Sequence, residues 1–118
     1  MTKVLQSRNF MESPRSEATD LGGGIYRTIL GHDDKILMAK VWFDKGAVGD
    51  VHTHVHSQVT YILSGKFEVE IDGQKQVLEA GGNCLIPSMR PHGSVCLEAG
   101  VLLDIFSPVR EDFLTVEV

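Results

Sequence analysis

At 118 residues, 42% of them hydrophobic and 23% charged, the chain has the composition of one globular domain with its own core, not of a disordered segment. The formal net charge of −5, with Lys and Arg scattered singly, lacks the basic footprint that nucleic-acid binding requires. Charges also interrupt every apolar run well short of the roughly 18 residues of a membrane span, so neither nucleic acid nor membrane is an expected partner.

Residues 1–20 are polar and weakly patterned and are expected to form an arm able to pair with a second subunit, leaving 21–118 as the domain proper. Gln6-Ser-Arg-Asn-Phe-Met-Glu-Ser-Pro14 offers no apolar stretch of secretion-signal length, so the expected location is the cytoplasm. Beyond the arm, apolar or alternating runs are cut by turn chemistry. Gly24–Leu30 runs into Gly31-His-Asp-Asp34, and Lys35–Phe43 runs into Asp44-Lys-Gly46. Val59–Leu63 is expected to end at Ser64-Gly65. Lys66-Phe-Glu-Val-Glu-Ile71 alternates strictly, with Phe67, Val69 and Ile71 on one face, which is the pattern of a half-buried strand. Asp72-Gly73 supplies the positive-φ positions of a type I′ turn, with Gln74–Glu79 returning as the partner.

Gly81-Gly82 then precedes a strand over Asn83–Ile86 that Pro87 ends. Ser94–Leu97 is expected to turn at Glu98-Ala-Gly100 into Val101–Phe106, and Arg110–Val118 reads as a short turn plus a final strand. About nine short strands at this spacing, with almost no helical periodicity, predict an all-β antiparallel barrel or sandwich. Cys84 and Cys96 have no C-x-x-C spacing and sit among apolar or small residues, which predicts reduced thiols.

The chemistry concentrates in Val51-His-Thr-His-Val-His-Ser-Gln58 and in His92, which follows Pro87 and Pro91. Side chains two apart on an extended strand share a face with their Cα atoms roughly 6–7 Å apart, so His52 and His54 can chelate one ion. Gln58 lies either further along that face or across a bend on the next strand. His92 has to arrive from a different hairpin. His56 is expected to be a solvent-facing loop residue or a donor supporting the ligands. Tyr61, Trp42, Arg27 and Lys40 fall in strands, with core or surface placement expected ahead of cavity lining.

Gly46 through His52, His54 and Gln58 to Gly65 resembles the first motif of the cupin family, and Gly81, Pro87 and His92 resemble the second. The departures are Gln58 in place of the usual glutamate, Met89 in place of glycine and Cys96 in place of asparagine. H-T-H-V-H-S-Q together with Leu103-Asp-Ile-Phe-Ser-Pro-Val-Arg-Glu-Asp-Phe113 is similar to the small cupins of the KdgF type, which linearise unsaturated uronates. That resemblance implies a jelly-roll barrel and one divalent metal ion (nickel, zinc, manganese or iron) held by His52, His54, Gln58 and His92. It also implies Asp104 as the catalytic residue, with Phe106 and Arg110 binding substrate, a small sugar acid as that substrate, and a homodimer.

The residue types agree with this implication. Three neutral imidazoles and a neutral amide leave the full charge of a divalent ion uncompensated, which favours an anionic ligand such as a uronate carboxylate. Asp104 and Phe106 share strand parity and enter a barrel together. Asp104 would serve proton transfer, Phe106 would pack on a sugar ring and Arg110 would grip a carboxylate. The competing readings are core filling for Phe106 and a surface cation for Arg110. Two other functional classes fit the donor set: an Fe(II) dioxygenase of the cupin type, and a non-catalytic sugar- or metal-binding cupin.

Overall fold

The structure, a computed structural model, describes residues 6–114. A 3-10 turn at Arg15–Glu17 precedes β1 (Thr19–Gly22), β2 (Ile25–His32), β3 (Leu37–Phe43), β4 (Val48–His52), β5 (Ser57–Ile71), β6 (Gln74–Glu79), β7 (Asn83–Ile86) and β8 (His92–Ser107). A second 3-10 turn at Glu111–Leu114 matches the short turn expected there, and the final strand expected beyond it lies outside the described residues. Every strand pair is antiparallel. The all-β jelly-roll expectation holds.

Two long strands build the architecture. The first half of β5 and the second half of β8 pair with each other and are flanked by β7 and by β3, β2 and β1. Their other halves also pair and are flanked by β6 and β4. The sheet thus folds over on itself, with β5 and β8 shared by both layers. The core lies between them: Leu37, Ala39, Val41 and Phe43 from β3 meet Ile62, Phe67, Cys96 and Leu102, and the Phe43 and Phe67 rings meet edge to face at 5.2 Å.

The sequence pattern suggests breaks at Ser64-Gly65 and Glu98-Ala-Gly100, but both stretches lie inside continuous strands of 15 and 16 residues. The reason is a crossing. A Cβ built on Gly65 would lie 2.5 Å from the Gly100 Cα and 2.6 Å from the Ala99 carbonyl, so the strands bend past each other backbone to backbone. The register slips on both sides of Ser64, and inward positions change from Gln58, Thr60 and Ile62 to Phe67 and Val69. Glycine beside polar residues marks a turn or a bulge equally well in sequence, and here it marks the corner of the sheet.

A contrast between two glycines tests that corner. Gly65→Ala meets rigid backbone at φ +83° and should cost about 3 kcal/mol or more in denaturant unfolding. Gly73 has nothing within 4 Å of its would-be Cβ, so Gly73→Ala pays only for its φ of +80°, about 1 kcal/mol. Gly73 and Asp72, at φ +52°, form the expected two-residue hairpin turn between Ile71 and Gln74.

Trp42, Lys40 and Tyr61 alternate outward from these strands, Lys40 lying against the Trp42 ring at 5.2 Å. Cys84 and Cys96 are free thiols, and burial pushes both upward in pKa, as expected for reduced side chains. Ahead of β1, Ser7 exchanges hydrogen bonds with His32 on β2, and Arg15 stacks on Tyr26 at 3.8 Å.

Candidate metal centre and substrate cavity

The site forms where the two layers face each other. His52 ends β4, His92 begins β8, and the register places them directly opposite. His54 follows two residues after His52, and a bend at Val55-His56 turns the chain into β5, which carries Gln58. Gln58 is therefore across a bend on the next strand, one of the two positions left open by its spacing. The ring centroids of His92 stand 4.3 Å from His52 and 4.7 Å from His54. One nitrogen from each of these three histidines falls within 4.8 Å of the others.

Each imidazole is oriented in the same way. The Nδ1–H groups of His52, His54 and His92 donate to the carbonyls of Asp50, His56 and Arg90 at 2.8, 3.0 and 2.8 Å. A carbonyl only accepts, so Nδ1 carries a proton in each ring, and in the neutral ring that places the lone pair on Nε2, where a metal ion would bind. The His92 Nε2 is buried with no hydrogen-bond partner. Burial, followed by the neighbouring histidines, holds His92 below its usual pKa and keeps it neutral. His56 serves this arrangement through its backbone carbonyl rather than its ring. The Met89 amide donates to the His54 carbonyl at 2.8 Å, and Met89 adopts φ +67°, so the conformation persists where the family pattern has glycine.

Gln58 completes the set. Its Nε2 donates to Thr60 Oγ1 at 2.9 Å and to Asp104 Oδ1 at 3.0 Å, which turns Oε1 toward His54 Nε2 at 2.9 Å. In a neutral His54 ring with its proton on Nδ1, two lone pairs face each other at hydrogen-bond distance, an arrangement that a shared cation resolves. Ligand atoms about 2.0–2.2 Å from one ion at right angles lie about 3 Å apart, matching that contact. The four side chains therefore fit a divalent metal. The amide also explains why glutamine stands here: a glutamate could not donate to Asp104 and would set two carboxylates side by side.

Asp104 faces Thr60 across the β5–β8 pair, and the Thr60 hydroxyl donates to Oδ1 at 2.6 Å. Both donated bonds fall on Oδ1, leaving Oδ2 for exchange. Burial pushes the Asp104 pKa up, against the opposing pull of Thr60, Gln58 and the Arg110 charge. Phe106 is buried at 2% exposure in the core and also lines the cavity, its ring 5.6 Å from His54, so core filling and site lining coincide.

An open cavity of about 250 Å3 is lined by His52, Gln58, Asp104, Phe106, Arg110 and Arg27. An inner chamber of about 120 Å3, reached by His92 and Thr60, shares His52, Gln58 and Asp104 with it. A larger depression of about 650 Å3 between β6 and β7 touches none of the four donors. Arg110 packs on Phe106 and Phe113 and makes a two-pronged ion pair with Asp112, through Nε at 3.0 Å and Nη2 at 2.7 Å. That pair holds the Asp112 carboxyl below the usual range.

Arg27, for which core or surface placement was expected ahead of cavity lining, lines the open cavity, and Thr60, which the sequence did not single out, lines the inner chamber. Arg27 lies on the inward parity of β2 with Ile25 and Ile29, both packed on the core, and a charge at such a position was the available signal. Thr60 shares inward parity with Gln58 and Ile62 but carries no motif.

Gln58→Glu tests the choice of amide. The new carboxylate would share a proton with Asp104, so metal should be retained while activity on an anionic substrate falls by at least about tenfold, an energy of about 1.4 kcal/mol. Elemental analysis beside a rate measurement separates the two effects.

Comparison with known proteins agrees with this geometry. Residues 40–106 match the family described as "Cupin domain". The chain is 45% identical over 97 residues to the pectin degradation protein KdgF of Dickeya dadantii, covering 80% of this chain and 88% of that protein. Among solved structures, an RmlC-like cupin from Shewanella frigidimarina superposes with a TM-score of 0.88 at 47% identity, covering 92% of this chain and 97% of that one. KdgF from Halomonas sp. superposes at 0.80 with 39% identity, covering 82% and 92%. The chain belongs to the cupin family, among the cupins of the KdgF type.

Proposed function

We propose that this protein opens the ring of a 4,5-unsaturated uronate monosaccharide, giving the linear keto form, with one divalent metal ion at His52, His54, Gln58 and His92. The observation that carries the reading is the bond set around Asp104: Gln58 and Thr60 both donate to Oδ1, holding a proton-transfer group against a donor set of neutral ligands. The similarity to a pectin degradation protein supports the substrate class.

The conversion is an isomerisation. The C1 hydroxyl gives up its proton and becomes the aldehyde as the bond between C1 and the ring oxygen breaks with its electron pair going to that oxygen, and the resulting enolate takes a proton at C4 to give the ketone. Atoms and electrons balance without an oxidant. When bound, the metal supplies a Lewis acid for the oxygens of the sugar acid. Asp104 Oδ2 accepts the hydroxyl proton and returns one to C4, while Thr60 and Gln58 keep the carboxylate from rotating. Phe106 presents an apolar wall to the sugar ring, and Arg110, anchored by Asp112, offers its remaining Nη1.

Ultraviolet absorbance of the C4–C5 double bond tests the reading. Metal-loaded protein should consume an unsaturated uronate faster than buffer, lose that activity to a chelator and regain it with added metal. Consumption at the protein-free rate by fully loaded protein would overturn it. Oxygen uptake by an iron-loaded sample would point to the dioxygenase class, and saturable uronate binding without conversion to the non-catalytic one.

A further inference from the structure

The two guanidinium groups in the cavity are not equivalent. Arg110 has Nε and Nη2 committed to Asp112. Arg27 has no carboxylate within 4.0 Å among the described residues, and its guanidinium rests on the Phe113 ring at 3.8 Å. It sits opposite Val41 of β3, whose side chain belongs to the core, so Arg27 points into the space between the layers. The carboxylates whose fields reach it, Asp112 and Asp104, are held by Arg110 and by Thr60 with Gln58. Burial and the like charge of Arg110 both act against Arg27 in this position, pushing its pKa down. A half-buried cation with an open fork, facing a cavity whose other donors leave a metal uncompensated, is short of one anion.

We propose that Arg27 is the residue that recognises the carboxylate of the substrate, so that it sets the preference of the cavity for sugar acids over neutral sugars. The inference rests on the reading of the cavity as a sugar-acid site and goes beyond it by assigning the acid group to a strand-borne arginine, not to the arginine of the C-terminal segment. A fork on β2 fixes the orientation of a planar carboxylate, and the ring is then directed toward Gln58 and Asp104 farther along the same layer and His52 on the facing one.

The test compares wild type with Arg27→Met and Arg27→Lys, each checked for metal content and thermal midpoint. With unsaturated uronate, Arg27→Met should raise KM by about 10- to 100-fold while kcat changes by less than about threefold. Arg27→Lys, which keeps the charge and loses the fork, should fall between, and it carries the comparison alone if the methionine variant does not fold. By calorimetry, wild type should bind galacturonate at least about tenfold more tightly than galactose, and Arg27→Met should lose that preference. Unchanged KM and unchanged preference in the variants of an active enzyme would overturn the role of Arg27 and leave the proposed function standing. An Arg27-dependent preference without any conversion would support the role and overturn the ring-opening reading. No conversion and no preference in wild type would overturn both.

Discussion

Asp104→Ala is expected to lower turnover by about 10²- to 10⁴-fold while the protein retains its full complement of metal. The two parts of that result come from separate features of the site. Asp104 is not among the four donors, and without it Gln58 still donates to Thr60 at 2.9 Å, so Oε1 stays directed at His54. What disappears is, among the described residues, the only carboxylate lining both the open cavity and the inner chamber. Asp104→Asn sharpens the comparison, because an amide oxygen can still accept from Thr60 and Gln58 while no titratable oxygen remains. Both variants should show the same loss, read from ultraviolet decay of the substrate beside elemental analysis. Near wild-type turnover in fully loaded Asp104→Ala would remove the aspartate from the chemistry.

His92→Ala is expected to lose metal and turnover together. His92 reaches the centre from β8 and its ring stands closest to both other imidazoles, so its removal deletes a ligand that no neighbour replaces. The loss of affinity should exceed the roughly 10- to 100-fold that follows loss of an outer-shell partner. Stability should respond differently. The Nε2 of His92 is buried without a partner, which costs the metal-free protein about 1–3 kcal/mol, and deleting the ring removes that penalty while opening a cavity. Chelated His92→Ala should therefore unfold close to chelated wild type. Only wild type should gain stability on adding metal, by about 2.7 kcal/mol at a hundredfold excess over its Kd. A thermal shift with metal that survives in His92→Ala would place the ion elsewhere.

Much of this was legible in the sequence, for physical reasons. Strict alternation over Lys66–Ile71 and the Asp72-Gly73 pair report local geometry, so strand, turn and inward face followed from neighbours alone. The convergence of His52, His54, Gln58 and His92 was legible because imidazoles at i and i+2 on an extended segment share a face and the two motifs bring the others to it. The corner at Gly65 and Gly100 was not, since the contact that shapes it joins residues 35 apart, counted as 100 less 65. Thr60 was hidden for a similar reason: its role depends on lying opposite Asp104 across β5 and β8. Arg110 was visible as a cation, but its engagement with Asp112 depends on the 3-10 turn at Glu111–Leu114 that folds the acid back. Arg27 carried a readable sign, an inward charge between Ile25 and Ile29, which alternation reveals only once the inward face of β2 is known.

The most direct measurement is diffraction at the absorption edge of a crystal loaded with a divalent transition metal. The account predicts one anomalous peak per chain within about 2.0–2.2 Å of Nε2 of His52, His54 and His92 and of Oε1 of Gln58, with the Gln58 amide nitrogen still on Asp104. A peak bound by the imidazoles with the Gln58 amide turned away, or no peak at this position in a protein that consumes unsaturated uronate, would contradict it.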